Sequence, residues 1–148
     1  MTKTKITRAV VAITFDKDRF LILKKKGTWT GWQFVQGAID ENETAETAVL
    51  RELKEETGLD GEIVKKLDLK ADYWFKWEND LIHKFLVFFL VKADSSKEVK
   101  IDVEHSDWKW VSYEEALKEI KFNKDKFKEA YKELKKVVKD EKRLFKTA

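Results

Sequence analysis

The chain has 148 residues, 43% hydrophobic and 13% aromatic, which is enough apolar material for the core of one domain and too much for a disordered chain. Charged residues make up 40%, but 31 basic residues nearly balance 28 acidic ones, so the net charge of +3 does not by itself imply a nucleic-acid partner. The lack of cysteine excludes a disulfide scaffold, a cysteine–zinc site and a thiol nucleophile, and two histidines, His83 and His105, are too few for a multi-histidine metal site.

No apolar run reaches the roughly 18 residues of a membrane span, and the opening MTKTKITR lacks the apolar stretch of a signal peptide. The expectation is a soluble cytoplasmic protein with no membrane partner. Residues 1–148 show no repeat, low-complexity block or linker, and a single domain is the simplest reading.

In chain order, Ala9 to Phe15 is apolar and β-branched, Asp16-Lys17-Asp18 is a turn, and Arg19 to Leu23 alternates back, which predicts a hairpin. Gly27 to Gly31 is a loop carrying Trp29, and Trp32-Gln33-Phe34 is a short strand leading to Gly37. Residues 44 to 57 predict a helix, with Asn42 or Thr44 as its cap and Gly58 as its terminator. Strands follow at 62–69, 72–77 and 81–91, the last two forming a second hairpin around Glu78-Asn79-Asp80. The run from Phe85 to Val91 is apolar throughout and predicts a central strand covered on both faces.

Trp108 to Val111 is a last strand. Ser112-Tyr-Glu-Glu115 matches a capping box for a short helix to about Glu119, and Asn123 opens a longer helix to about Lys142. The stripe of that helix is Phe127, Ala130, Tyr131, Leu134, Val137 and Val138. Residues 121–148 hold 11 basic and 5 acidic residues, net +6, a solvated lysine face or a surface for RNA phosphates. Strands mixed with flanking helices imply an α/β layered domain.

The chemistry is concentrated between Gly37 and Leu59. On a helix, Glu52, Glu55 and Glu56 stand three and four apart and project on nearly one face, where like charges repel. A divalent cation would reverse that sign, and all-oxygen donors suit a hard ion, Mg²⁺ or Mn²⁺. Arg51 is four residues before Glu55 and can hydrogen-bond a carboxylate.

Gly37, Glu43, Arg51, Glu52, Leu53, Glu55, Glu56, Gly58 and Leu59 fill every defined position of a pattern that resembles the Nudix box, which spans 23 of the 148 residues. The resemblance implies the Nudix fold, a mixed β-sheet sandwiched between helices (α/β/α), here with a long C-terminal helix. It implies hydrolysis of a nucleoside diphosphate linked to another group. It makes Glu52, Glu55 and Glu56 metal ligands and gives Gly37 a backbone carbonyl that can reach the metal. Glu55, Glu56 and Arg51 enter the catalytic set, while Glu43 and Gly58, with Arg51, hold the motif together.

Downstream, Glu104-His105 with Trp110 resembles the Glu-His-x-x-x-x-Trp segment of diadenosine tetraphosphate hydrolases, where the glutamate is a further metal ligand or the base. Gly31-Trp32-Gln33-Phe34-Val35-Gln36-Gly37-Ala38 resembles the Trp-x-x-Pro-Gln-Gly-Gly segment of RNA 5′-pyrophosphohydrolases, with Val35 in place of the proline and Ala38 in place of the second glycine. The first resemblance makes asymmetric cleavage of diadenosine tetraphosphate to ATP and AMP the leading expectation. An RNA 5′-pyrophosphohydrolase or nucleoside triphosphate pyrophosphatase is the alternative, and a non-catalytic nucleotide- or RNA-binding module is the reading from another class.

Partners are then a nucleoside polyphosphate or 5′-triphosphorylated RNA, on a monomer or homodimer. Candidate substrate contacts are Lys84, Arg8 and Lys24 for phosphate, Tyr73 and Trp74 for base stacking, and Gln36 beside the box.

Overall fold

The computed structural model describes residues 3–27 and 29–146, with side chains described as far as residue 140. Two long strands, β1 (Thr4–Asp16) and β7 (Asp80–Ala93), run parallel side by side, from Thr4 opposite Leu81 to Phe15 opposite Lys92. Their middle residues, Ala9–Ile13 and Phe88–Val91, are buried whichever face they point to, as an apolar run without alternation requires. The burial of the second run begins at Leu86, because Phe85 remains 37% exposed.

The remaining strands add to this pair antiparallel. The turn at Lys17 (φ 57°) reverses β1 into β2 (Arg19–Lys25). The short β3 (Gly31–Gln33) and β8 (His105–Val111) pair with β2, β4 (Val35–Ala38) pairs with β1, and β5 (Gly61–Lys66) and β6 (Ala71–Trp77) pair with β7. The result is a mixed eight-stranded sheet.

Alternation along the strands assigns each side chain to one layer. Ala9, Val11, Ile13 and Phe15 point to one side of the sheet, where α2 (Tyr113–Glu119) and α3 (Lys124–Lys146) cover them with Ala116, Phe127, Ala130 and Leu134. Val10 and Ala12 point to the other side, beneath α1 (Ala45–Thr57), and meet Ala48, Val49 and Leu53. The sandwich of helices around a mixed sheet is therefore present. The stripe of α3 is buried through Leu134 and fades after it, with Val138 41% exposed.

Both hairpins and all three helices fall where the sequence pattern puts them. β1 and β7 are longer than their apolar runs, because Thr4 to Arg8 and Asp80 to Lys84 continue the parallel ladder past the helical layers. β4 was not expected as a strand. Its four residues lie within the turn-like stretch before the helix, and register with Ala9 to Ala12 makes them strand.

Candidate active site

Helix α1 starts at Thr44, whose hydroxyl accepts from the Thr47 N–H (3.1 Å), and this makes Thr44 the cap rather than Asn42. It ends at Gly58, which sits at φ 76°, a left-handed backbone that favours glycine, and whose N–H donates to the Lys54 carbonyl (2.8 Å).

Arg51 projects from this helix into the loop that precedes it. Its Nε and Nη2 donate to the two Glu43 oxygens (2.7 and 2.8 Å), and Nη2 also donates to the Ala38 carbonyl (2.9 Å). Nη1 donates to Glu52 Oε1 (3.0 Å) and Glu55 Oε2 (3.1 Å). This fork clamps residues 38–43 to the helix and fixes two acidic rotamers. The guanidinium, with the Asp40 N–H donating to Glu43 Oε1 (2.9 Å), holds the Glu43 carboxyl down at about 2, and the same bonds raise Arg51 further above its ordinary value.

Gly37 lies within β4, opposite Val10, and the Glu52 carboxylate rests against its α-carbon so closely that a β-carbon there would collide with it. The glycine therefore serves as a cradle for Glu52.

Glu56 is 3% exposed, and neither of its carboxylate oxygens has a hydrogen-bond partner. Burial is the main cause that pushes it up to about 10, followed by Glu52 beside it and by the Asp102 and Glu104 carboxylates. Facing it is His105, also 3% exposed, with Nε2 3.6 Å from Glu56 Oε1. His105 Nδ1–H donates to Asp102 Oδ1 (2.6 Å), which fixes the ring and leaves Nε2 as the nitrogen turned to Glu56. Trp110, in the same segment, packs against the α1-side core.

Glu104 is more open, its side chain 62% exposed and 3.6 Å from Lys25 Nζ. The Lys26 N–H donates to its carbonyl (3.1 Å) and ties this loop to the end of β2. Lys25, Asp40 and Asp102 escaped the sequence reading. They lie at a strand end or in loops, where no periodicity marks them, although Asp102 stands three residues before His105.

The expected substrate contacts do not share one face. By alternation Arg8 and Trp74 follow Val10 and Phe89 on the α1 side, while Lys84, Tyr73 and Gln36 follow Leu86 and Val11 on the α3 side, as does Lys24 with Ile22. Arg8 lines an open groove of about 540 Å³ with Asp72 and Phe85. Lys84 Nζ lies 5.9 Å from the centre of the Tyr73 ring. Gln36 donates to Gln33 Oε1 (3.1 Å). All four aromatics of β6 are exposed, from 37% for Phe75 to 65% for Trp77, so none is spent in the core.

Among the described residues no three acidic or imidazole groups stand ready to hold a metal ion, since Arg51 engages both Glu52 and Glu55. The donor set nonetheless suits a hard divalent ion. Among the described residues no lysine or arginine pairs with the Glu56 carboxylate, whose oxygens are buried and unpartnered beside a second carboxylate, a setting that a divalent cation would neutralise.

Residues 5–131 match the NUDIX domain family. An RNA pyrophosphohydrolase of Saccharophagus degradans is 32% identical over 142 residues, covering 84% of this chain and 82% of the relative. One of Teredinibacter turnerae is 32% identical over 133 residues, covering 78% and 77%. Among solved structures, a C. elegans Ap4A hydrolase binary complex superposes with a TM-score of 0.65 at 20% identity, over 96% of this chain and 99% of the other. The E. coli dihydroneopterin triphosphate pyrophosphohydrolase gives 0.66 at 20% identity, over 87% and 97%. Family match, fold and acidic helix agree: the chain belongs to the NUDIX family and is a pyrophosphohydrolase of nucleoside polyphosphates.

Proposed function

We propose that the chain hydrolyses the 5′-polyphosphate end of RNA, using Mg²⁺ or Mn²⁺. The observation that carries this reading is the likeness to a protein named RNA pyrophosphohydrolase along more than four-fifths of both chains. Gln36 before Gly37 supports it. Diadenosine tetraphosphate, the leading expectation from sequence, becomes the second reading. Glu104-His105 favours it, and the structural neighbour that acts on Ap4A shares the fold at 20% identity.

Glu52 and Glu56 would hold the ion, with Glu55 and Glu104 completing the oxygen set. A bound divalent ion neutralises phosphate charge and lowers the pKa of water. The chain's own residues do the rest. Arg51 keeps Glu52 and Glu55 in place. Gly37 leaves room for Glu52. Glu55 and Glu104 reach solvent and can take a proton at Oε as a water oxygen bonds to phosphorus, the bridging P–O bond breaks and the diphosphate leaves. Arg8, on the α1 side of the sheet with the acidic helix, would bind the phosphate chain, whereas Lys84, Tyr73, Lys24 and Gln36 face the α3 side, away from those carboxylates.

The deciding experiment offers 5′-triphosphorylated RNA, diadenosine tetraphosphate and nucleoside triphosphates separately with Mg²⁺ and identifies the products. Release of pyrophosphate or phosphate from RNA as the preferred reaction supports the proposal. Preferential formation of ATP and AMP from the dinucleotide transfers it to the second reading.

A further inference from the structure

Strand β6 reads Ala71-Asp-Tyr-Trp-Phe-Lys-Trp77 and pairs with β7 through all seven residues without a bulge. Among the described residues no strand occupies its other edge. Edges of this kind are normally blunted by proline, a bulge or a run of charge. This one has neither proline nor bulge and exposes aromatics on both faces, Trp74 at 54% and Trp77 at 65%. The indole of Trp74 is held in place by stacking on His83, with centroids 3.9 Å apart, and Asp72 accepts from His83 Nε2–H (2.6 Å).

The charges on the edge are arranged about its centre. Asp72 and Lys76 stand two residues either side of Trp74, and Lys70 and Glu78 stand four either side. Among the described residues Lys70, Lys76 and Glu78 take part in no ion pair. An antiparallel copy of the same strand, related by a two-fold axis at Trp74, places Asp72 opposite Lys76 of the partner subunit and Lys70 opposite Glu78 of the partner subunit, each contact occurring twice. Tyr73 then faces Phe75 of the partner subunit, and the two Trp74 side chains meet. A shift of the axis by one residue is penalised either way: at Tyr73 it opposes Lys70 and Lys76, and at Phe75 it opposes Asp72 and Glu78.

We infer that β6 is a homodimerisation edge, through which two copies of the chain join their sheets antiparallel about Trp74. The occupant is a second copy rather than a nucleic acid. From Asp68 to Asp80 the segment carries four acidic and two basic residues, the wrong balance for a phosphate backbone, while the alternation of charge about Trp74 complements itself.

The test uses the full chain and three variants. Sedimentation over a concentration series is expected to show a reversible monomer–dimer equilibrium for the native protein. Lys76→Glu and Asp72→Lys each place like charges opposite one another twice and are expected to weaken self-association by roughly tenfold or more. Mixing the two purified variants restores complementary pairs at every position, so a heterodimer is expected at near-native affinity, and native mass spectrometry reads it directly. The chain has no cysteine, so Trp74→Cys alone is expected to oxidise to a covalent dimer. A native protein that stays monomeric throughout, single variants that associate like the native chain, or a mixture that does not pair overturns the inference. So does a monomer that binds RNA and loses this binding in Lys76→Glu.

Discussion

His105 Nε2 faces Glu56 Oε1 across 3.6 Å, and both atoms are buried without a hydrogen-bond partner. Among the described residues the one other side chain with a buried, unpartnered polar atom is Trp110, through its Nε1. Thr14 and Thr57, equally buried, satisfy their hydroxyls on nearby backbone carbonyls. A pair of unpartnered polar groups at the foot of the acidic helix is a cost to folding that a bound cation would offset.

That cost has a definite pH dependence without metal. Glu56 lies well above the ordinary carboxylate value in the fold, at about 10, so the folded chain retains a proton that the unfolded chain releases. The unfolded state therefore binds fewer protons, and stability falls as pH rises from about 4.5 towards 10. At roughly 1.4 kcal/mol per unit, the loss is on the order of several kcal/mol across that window. Urea unfolding in chelator from pH 5 to pH 9 is expected to show a declining stability that Glu56→Gln flattens. Added Mg²⁺ or Mn²⁺ at the alkaline end is expected to raise the native melting temperature and leave that of the variant nearly unchanged. A pH-independent native chain would place Glu56 in a polar setting.

Gly37 and Glu52 give a steric prediction. Gly37→Ala drives a methyl group into the Glu52 carboxylate, which Arg51 and the helix prevent from simply turning away. Displacing a reacting-site group by about an ångström costs on the order of 10²-fold in turnover. The variant is expected to fold with a native circular dichroism spectrum and to lose kcat to about that extent. Retention of full kcat would mean that Glu52 can move without consequence.

Much of this organisation was readable in the chain. Periodicity exposed α1 and α3 because each buries one continuous stripe, and the spacing of Glu52, Glu55 and Glu56 placed them on one helix face. Sequence could not give the depth of Glu56. Three neighbouring glutamates look alike in a string, yet helix rotation buries Glu56 against His105 and leaves Glu55 57% exposed. The tie that Arg51 makes to the preceding loop was legible only through the resemblance to the Nudix box, because its bonds to Ala38 and Glu43 span 13 and 8 residues through a loop without periodic pattern. Lys84 and Arg8 looked equivalent as basic residues near strands, and only strand register places them on opposite faces of the sheet.

The α3 layer yields a stability prediction independent of the site. Phe127 is fully buried and meets Phe20 edge-on (centroids 5.0 Å apart), Phe34 (4.8 Å) and Tyr113 (4.9 Å). Phe127→Ala removes the residue that joins α3 to β2, to the segment before β4 and to α2. It is expected to cost about 3–5 kcal/mol in urea unfolding, whereas Val138→Ala, near the exposed end of the same stripe, costs under about 1 kcal/mol. Equal losses at the two positions would show that α3 docks along its whole length.

The Arg51 fork predicts an acid limit. Glu43 is held at about 2 in the fold, below its unfolded value of 4.5, chiefly by the Arg51 guanidinium and then by the Asp40 N–H. Its contribution to stability is fully present above about pH 4.5 and is lost as pH falls through about 2, because the unfolded chain takes up the proton first. Glu43→Gln keeps the shape but removes the charge, so acid unfolding of the variant is expected to lose part of its slope between pH 4.5 and pH 2. At neutral pH the variant also weakens the tie between residues 38–43 and α1, which loosens Glu52 and Glu55 through their shared arginine. Turnover is therefore expected to fall more than stability does, and Arg51→Lys, which keeps the charge but loses the fork, to reproduce the loss. An Arg51→Lys enzyme with native kcat would show that charge alone suffices and that the fork geometry is dispensable.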